Sequence, residues 1–276
     1  MFNPRIETIA MPFTTRRTAL ALSAAVLAGL AAPAFAQQPQ LVRVGVTPGP
    51  HAEIVEQIKP LLAKKGYELK VFEFSDFVIP NQALDIGDLE ANAFQHQPYL
   101  DNQVKDRGFK IVGVATTVNF PMGIYSARYK SWADVPDGAT ISIQNDPTNG
   151  GRALLLLQDK GVIKLRDGVG FKPTVADIVG NPKNLKVLEI DAGQTVRSLA
   201  DVAAAAINTS YAVDAKIDPA SAILREEPKG PYTNLIAVRG ANRDKPFVQA
   251  LVESYRSPEI KAFVAERFKG SILPTW

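Results

Sequence analysis

The 276-residue chain has no cysteine and only two histidines, His51 and His96. The first absence excludes disulfides, thiolate metal sites and thiol nucleophiles. It also leaves no residue to carry a cysteine-borne lipid. Two histidines without cysteine leave little for a zinc site, so no metal and no cofactor is expected. A strong excess of one charge is lacking too, with 31 Lys and Arg against 28 Asp and Glu. Part of that small excess sits in Arg5, Arg16 and Arg17, and beyond them basic and acidic residues alternate. A nucleic-acid binder gathers its basic residues, so no such partner is expected. Past residue 37, no apolar run approaches the roughly 18 residues of a membrane span.

What is present begins with an address. Arg16 and Arg17 precede the apolar run from Thr18 to Ala32, and Ala34-Phe35-Ala36 supplies a small-x-small cleavage pattern before Gln37. Residues 1–36 therefore read as a secretory signal peptide, with Met11 an equally normal start. The residues after the arginine pair match the twin-arginine pattern poorly, which favours the general export route. A soluble periplasmic protein without a lipid anchor is the expectation.

The remainder alternates strand and helix patterns. Leu41 to Val46 and Glu68 to Phe74 read as strands, and His51 to Lys65 as a helix that Pro60 must kink or restart. Leu89 to Phe94 and Lys110 to Val118 continue a βαβαβαβ series, which implies a mostly parallel sheet. Phe120 to Ser126 is extended, but Pro121 argues against a central position. A second α/β block follows, with strands at Ala139–Gln144, Leu185–Ile190 and Val202–Ile207. Thr233–Val238 is a further strand, and two helices lie in Pro246–Lys269. Two such units suggest two lobes with a cleft between them, and ligands favour such clefts and the carboxyl ends of parallel strands.

Three segments carry chemistry. Ala93-Phe94-Gln95-His96-Gln97-Pro98-Tyr99-Leu100 puts two aromatic rings and an imidazole where a strand gives way to a helix. The residues alone fit a core aromatic with a capping histidine equally well. Asn145-Asp146-Pro147-Thr148-Asn149-Gly150-Gly151-Arg152 opens a helix, with Asp146 as cap and Pro147 in the first position. Such a terminus accepts anions, and Arg152 can present a planar fork to a carboxylate; a solvated Arg on a structural helix is the plain alternative. The glycines allow close approach of backbone or ligand. No GK[ST] follows, so this is not a nucleotide loop. Asn208 and Asn234 each sit at the edge of an apolar strand, where they either serve a zwitterionic ligand or bridge loops.

At these residues the chain resembles the methionine-binding periplasmic proteins of bacterial ABC importers, the NlpA/MetQ type. The matching runs include Asn92 to His96 with Pro98-Tyr99-Leu100, Lys105 to Gly108, Asn145 to Asn149 with Gly151-Arg152, Asn181 to Leu185, Ile207-Asn208-Thr209, and Pro231-Tyr232 with Asn234-Leu235. The resemblance spans about residues 41–276 in order. It implies a two-lobed, type II-like α/β fold with two crossover strands and one amino acid enclosed between lobes. Lobe 1 would comprise 37–118 and 236–276, and lobe 2 would comprise 119–235. It implies a thioether held among Phe77, Phe94, His96 and Tyr99. The ligand carboxylate falls to Arg152 with Asn149, and the polar backbone end to Asn208 and Asn234. Phe77 replaces a tyrosine common in that family, the loop Thr47-Pro48-Gly49-Pro50-His51 differs from the usual one, and the lipid-bearing cysteine is missing.

The expected function is capture of methionine for the membrane subunits of an ABC importer, by a monomer. Alternatives within the class are D-methionine, a methionine dipeptide or another amino acid. An exported enzyme would need a nucleophile and base in one cleft. His96 with Asp101 is the one nearby His–acid pair, and no G-x-S-x-G elbow occurs, so no enzyme is expected.

Overall fold

The computed structural model describes Met1 and residues 38–276 apart from Lys229. Apart from Met1, the leader read over residues 1–36 lies outside the described residues.

The first half of the described chain builds β1 (Gln40–Val46), α1 (Pro50–Ala63), β2 (Tyr67–Glu73), α2 (Ile79–Ile86), β3 (Ala91–His96), α3 (Gln97–Arg107) and β4 (Ile111–Asn119). It then enters β5 (Gly123–Tyr125), β6 (Thr140–Gln144), α4 (Pro147–Asp159), the short pair β7 (Lys164–Leu165) and β8 (Ile178–Gly180), β9 (Lys186–Ile190), α5 (Thr195–Ser198), β10 (Ala204–Ile207), α6 (Thr209–Asp214) and β11 (Leu224–Arg225). Finally come β12 (Thr233–Arg239), α7 (Pro246–Tyr255), α8 (Pro258–Phe268) and β13 (Leu273–Pro274).

These strands form two main sheets. One runs β13-β4-β12-β3-β1-β2 and the other β11-β5-β10-β6-β9. In the first, β1 pairs parallel with β2 and β3, while β12 is antiparallel to β3 and β4. In the second, β6 pairs parallel with β9 and β10, and β5 is antiparallel to β10. The chain passes between the sheets twice, at Phe120–Met122 and again between β11 and β12.

The apolar pattern explains each lobe's core. Val42, Val44 and Val46 alternate in β1 and are fully buried under Ile54, Ile58 and Leu62 of α1 and Leu251 and Tyr255 of α7. Leu84, Leu100 and Leu235 fill the other face of that sheet. In the second lobe Ile141 and Ile143 of β6 meet Leu154 and Leu157 of α4.

Two local expectations change. α1 is one helix from Pro50 to Ala63 and does not restart at Pro60; Pro60 and Glu56 are exposed, so water can reach the Glu56 carbonyl that the proline leaves without an N–H. The extended segment after Phe120 does contribute an interior strand, β5, because the pairing begins at Gly123, beyond the proline that cannot donate.

Candidate functional site

The parallel strands β1, β2, β3, β6 and β10 deliver their carboxyl ends to the space between the sheets. A cavity lies there, lined by His51, Phe77, Phe94, Gln95, His96, Tyr99, Phe120, Asn149, Arg152, Asn208, Ser210 and Asn234. All eight residues singled out in the sequence line this one cavity. His51, Gln95, Phe120 and Ser210 line it as well.

One end is aromatic. The Phe77 ring stands 5.8 Å from Phe94, 6.0 Å from Tyr99 and 5.1 Å from Tyr211. The Tyr99 hydroxyl donates to the Phe77 carbonyl at 2.9 Å, and the Tyr211 hydroxyl donates to the Ser75 carbonyl at 3.2 Å. Both phenols are thus committed to the loop that carries Phe77. Burial pushes both well above the ordinary phenol range, so they stay neutral. A buried amide triad ties α2 to β3. Asn81 donates to Gln95, and Asn92 and Gln95 donate back to Asn81, at 2.6–2.8 Å.

The other end is polar. Asp146 caps α4 by accepting from the Thr148 and Asn149 backbone N–H groups at 3.1 and 2.9 Å. It also accepts from the Asn149 side chain at 2.9 Å. Asn149 Oδ1 accepts from Asn208 Nδ2 at 2.8 Å, and Asn208 Oδ1 accepts from Gln144 Nε2 at 2.9 Å. Gly150 makes this possible, because a Cβ there would stand 2.5 Å from the Gln144 carbonyl oxygen. A Cβ on Gly151 would stand 3.0 Å from Lys172 Cα. In this structure, then, backbone makes the close approach at both glycines.

His96 does two things. Its Nδ1 accepts from the Tyr99 N–H at 3.2 Å, capping α3. That places the ring proton on Nε2, which reaches Asn149 Oδ1 across the cleft at 3.3 Å. Asp101 instead accepts from Gln97 Nε2 at 2.7 Å and is exposed, so no His96–Asp101 pair forms. Asn234 Nδ2 bonds His51 Nε2 at 2.8 Å and the Phe94 carbonyl at 3.2 Å. Both amide protons are then used, and His51 holds its own proton on Nδ1 toward Thr47 Oγ1, 2.7 Å away. Asn234 Oδ1 is left as an acceptor without a partner among the described residues. Burial pushes both imidazoles down to about 3, with the Arg152 charge adding to the effect at His96.

Arg152 is buried and fixed on three sides. Its Nε donates to Glu226 Oε1 at 3.0 Å, and its Nη2 donates to Glu226 Oε2 at 2.5 Å and to the Phe120 carbonyl at 2.8 Å. The Tyr232 ring lies 4.3 Å from the guanidinium carbon. Nη1 is the nitrogen without a bond among the described residues. Glu226 was not visible in the sequence as a site residue. It lies 74 positions from Arg152, on no shared element, and only folding of the return crossover brings it there. His51 was hidden for a similar reason: it lies in the first turn of α1, and its contact appears only when β12 packs beside it.

Two lobes around an enclosed cleft are the architecture of a periplasmic binding protein. The model of the NlpA lipoprotein family matches residues 42–276. The chain belongs to that family. It is 44% identical to the D-methionine-binding lipoprotein MetQ of Escherichia coli K12, over 87% of this chain and 90% of that one. It is 42% identical to outer membrane lipoprotein 3 of Mannheimia haemolytica, over 85% and 90% of the two. Among solved structures it is similar to a nutrient-binding protein from Burkholderia cenocepacia bound to methionine, with 50% identity, a TM-score of 0.83, and 85% of this chain and 100% of that chain covered. It is also similar to the methionine-binding protein MetQ, with 45% identity, a TM-score of 0.84, and 86% and 99% covered.

Proposed function

We propose that this protein binds one molecule of methionine between its lobes and presents it to the membrane subunits of an ABC importer. The observation that carries the reading is the division of one cavity into an aromatic end and a polar end that holds a fixed arginine. A thioether among Phe77, Phe94 and Tyr99 gains about 0.3–1.5 kcal/mol from sulfur–aromatic contact, besides roughly 1.5–3 kcal/mol from burial. The carboxylate would meet Arg152 Nη1 and Asn149, and the ammonium would meet Asn234 Oδ1 with Asn208. A charge left unpaired there would cost far more than the side chain gains.

The family's methionine-binding names support the ligand class. The reading takes residues 37–118 and 236–276 as one lobe and 119–235 as the other, with both crossovers as the hinge. It assigns no catalysis. His96 spends both ring nitrogens on Tyr99 and Asn149, and His51 spends both on Thr47 and Asn234. The relatives are called lipoproteins, whereas this chain has no cysteine. We place it in the bacterial envelope as a monomer free of a cysteine-borne lipid.

Mass spectrometry of small molecules released on denaturing the purified protein tests the ligand. Methionine at near one equivalent is expected. A methionine dipeptide or another amino acid in its place would overturn the choice of ligand.

A further inference from the structure

We infer that Glu226 sets the net charge of the ligand this cavity accepts: by cancelling Arg152 on one edge, it restricts the site to carboxylates that bring their own ammonium. The inference rests on the amino-acid-binding reading above and names the substrate class of that site, zwitterions of zero net charge.

Arg152 is the one formally charged residue among those lining the cavity, because both imidazoles there are held neutral. Its charge is already answered. The Glu226 carboxylate takes the Nε–Nη2 edge, and its Oε2 also accepts from the Met122 backbone N–H at 2.9 Å. The side chains of Arg152 and Glu226 are 3% and 14% exposed, so water screens the pair little. Glu226 is therefore pinned between both crossovers and cannot turn away when a ligand carboxylate arrives. Asp146 adds a second negative group behind Asn149.

A bare anion entering this site would leave an uncompensated buried negative charge. A zwitterion would not, since its ammonium meets the open acceptor on Asn234. Arginine alone, by contrast, would welcome any carboxylate. The charge of Glu226 is thus a specificity determinant, distinct from its part in holding Arg152 in place.

The test is titration of the full exported chain, first stripped of ligand, with methionine and with its des-amino analogue, which keeps the thioether and carboxylate but lacks the ammonium. The wild type should favour methionine at least 100-fold. Glu226→Gln keeps the size and an acceptor but removes the charge. It should narrow that ratio at least tenfold, chiefly by tighter binding of the analogue. Should Gln fold poorly, Glu226→Asp and Glu226→Asn differ from each other in charge alone. The Asn variant should then show the narrower ratio. Parallel weakening of both ligands with an unchanged ratio, or equal ratios for Asp and Asn, would mean Glu226 only positions Arg152 and would overturn the inference. A folded wild type that ignores methionine would overturn the underlying reading itself, an outcome visible before any variant is made.

Discussion

The ligand role proposed for Arg152 and its observed structural role separate by measurement. Arg152→Ala should lower methionine affinity about 100-fold or more, since losing one partner of a buried charge pair costs about 3–5 kcal/mol. It also strands Glu226, so the ligand-free melting temperature should fall as well. Asn234→Ala removes the open Oδ1 and should weaken binding about 10–100-fold, the worth of a hydrogen bond to a charged group. A large loss of melting temperature with an unchanged dissociation constant would make Asn234 a loop tie instead. The buried imidazoles predict a pH effect. Both are pushed down to about 3 in the fold, while the unfolded chain protonates near 6.5. The unfolded state therefore binds more protons below that pH, and stability contributed by the neutral rings is lost as pH falls from about 6.5 toward 3. Each ring contributes up to about 1.4 kcal/mol per pH unit. Melting curves from pH 7 to 4 should fall more steeply for the wild type than for a His51→Gln/His96→Gln variant. At this scale the sequence announced Arg152, Asn149 and His96 because each sits in a local signature at a helix start. It was silent on Glu226, whose partner is far along the chain.

Helix α4 shows what an element contributes. Its start was legible because Asp146 and Pro147 satisfy local rules that tertiary packing does not override. The same cap holds the Asn149 side chain. Asp146→Ala should therefore cost about 1 kcal/mol of stability, a drop of about 2–4 °C in melting temperature. It should also weaken methionine binding severalfold by freeing Asn149. A stability loss with no change in affinity would detach the cap from the site. Strand β5 was less legible. Pro121 argued against an interior strand, but the chain uses that proline in the crossover and begins pairing two residues later. The hydrophobic pattern fixes which face a strand buries. It does not fix the residue at which a crossover ends.

Among the described residues, three hydrogen bonds reach across the cleft beside the Phe77–Tyr211 ring contact. His96 reaches Asn149, the Tyr211 hydroxyl reaches the Ser75 carbonyl, and Lys172 Nζ reaches Asn102 Oδ1 at 2.6 Å. A ligand with differential affinity for the closed arrangement can shift an open–closed balance. Small-angle scattering of stripped protein should show compaction on adding methionine, and Lys172→Ala should need severalfold more ligand for the same change. Two α/β units were readable from the strand and helix patterns, whereas the contacts between lobes join residues whose neighbours in sequence carry no common signal. The most direct test of the account is calorimetric titration of stripped wild-type protein and Arg152→Ala with methionine. Saturable one-to-one binding by the wild type and near-complete loss in a variant that remains folded are expected. Equal binding by the two would contradict a methionine site built on Arg152 between the lobes.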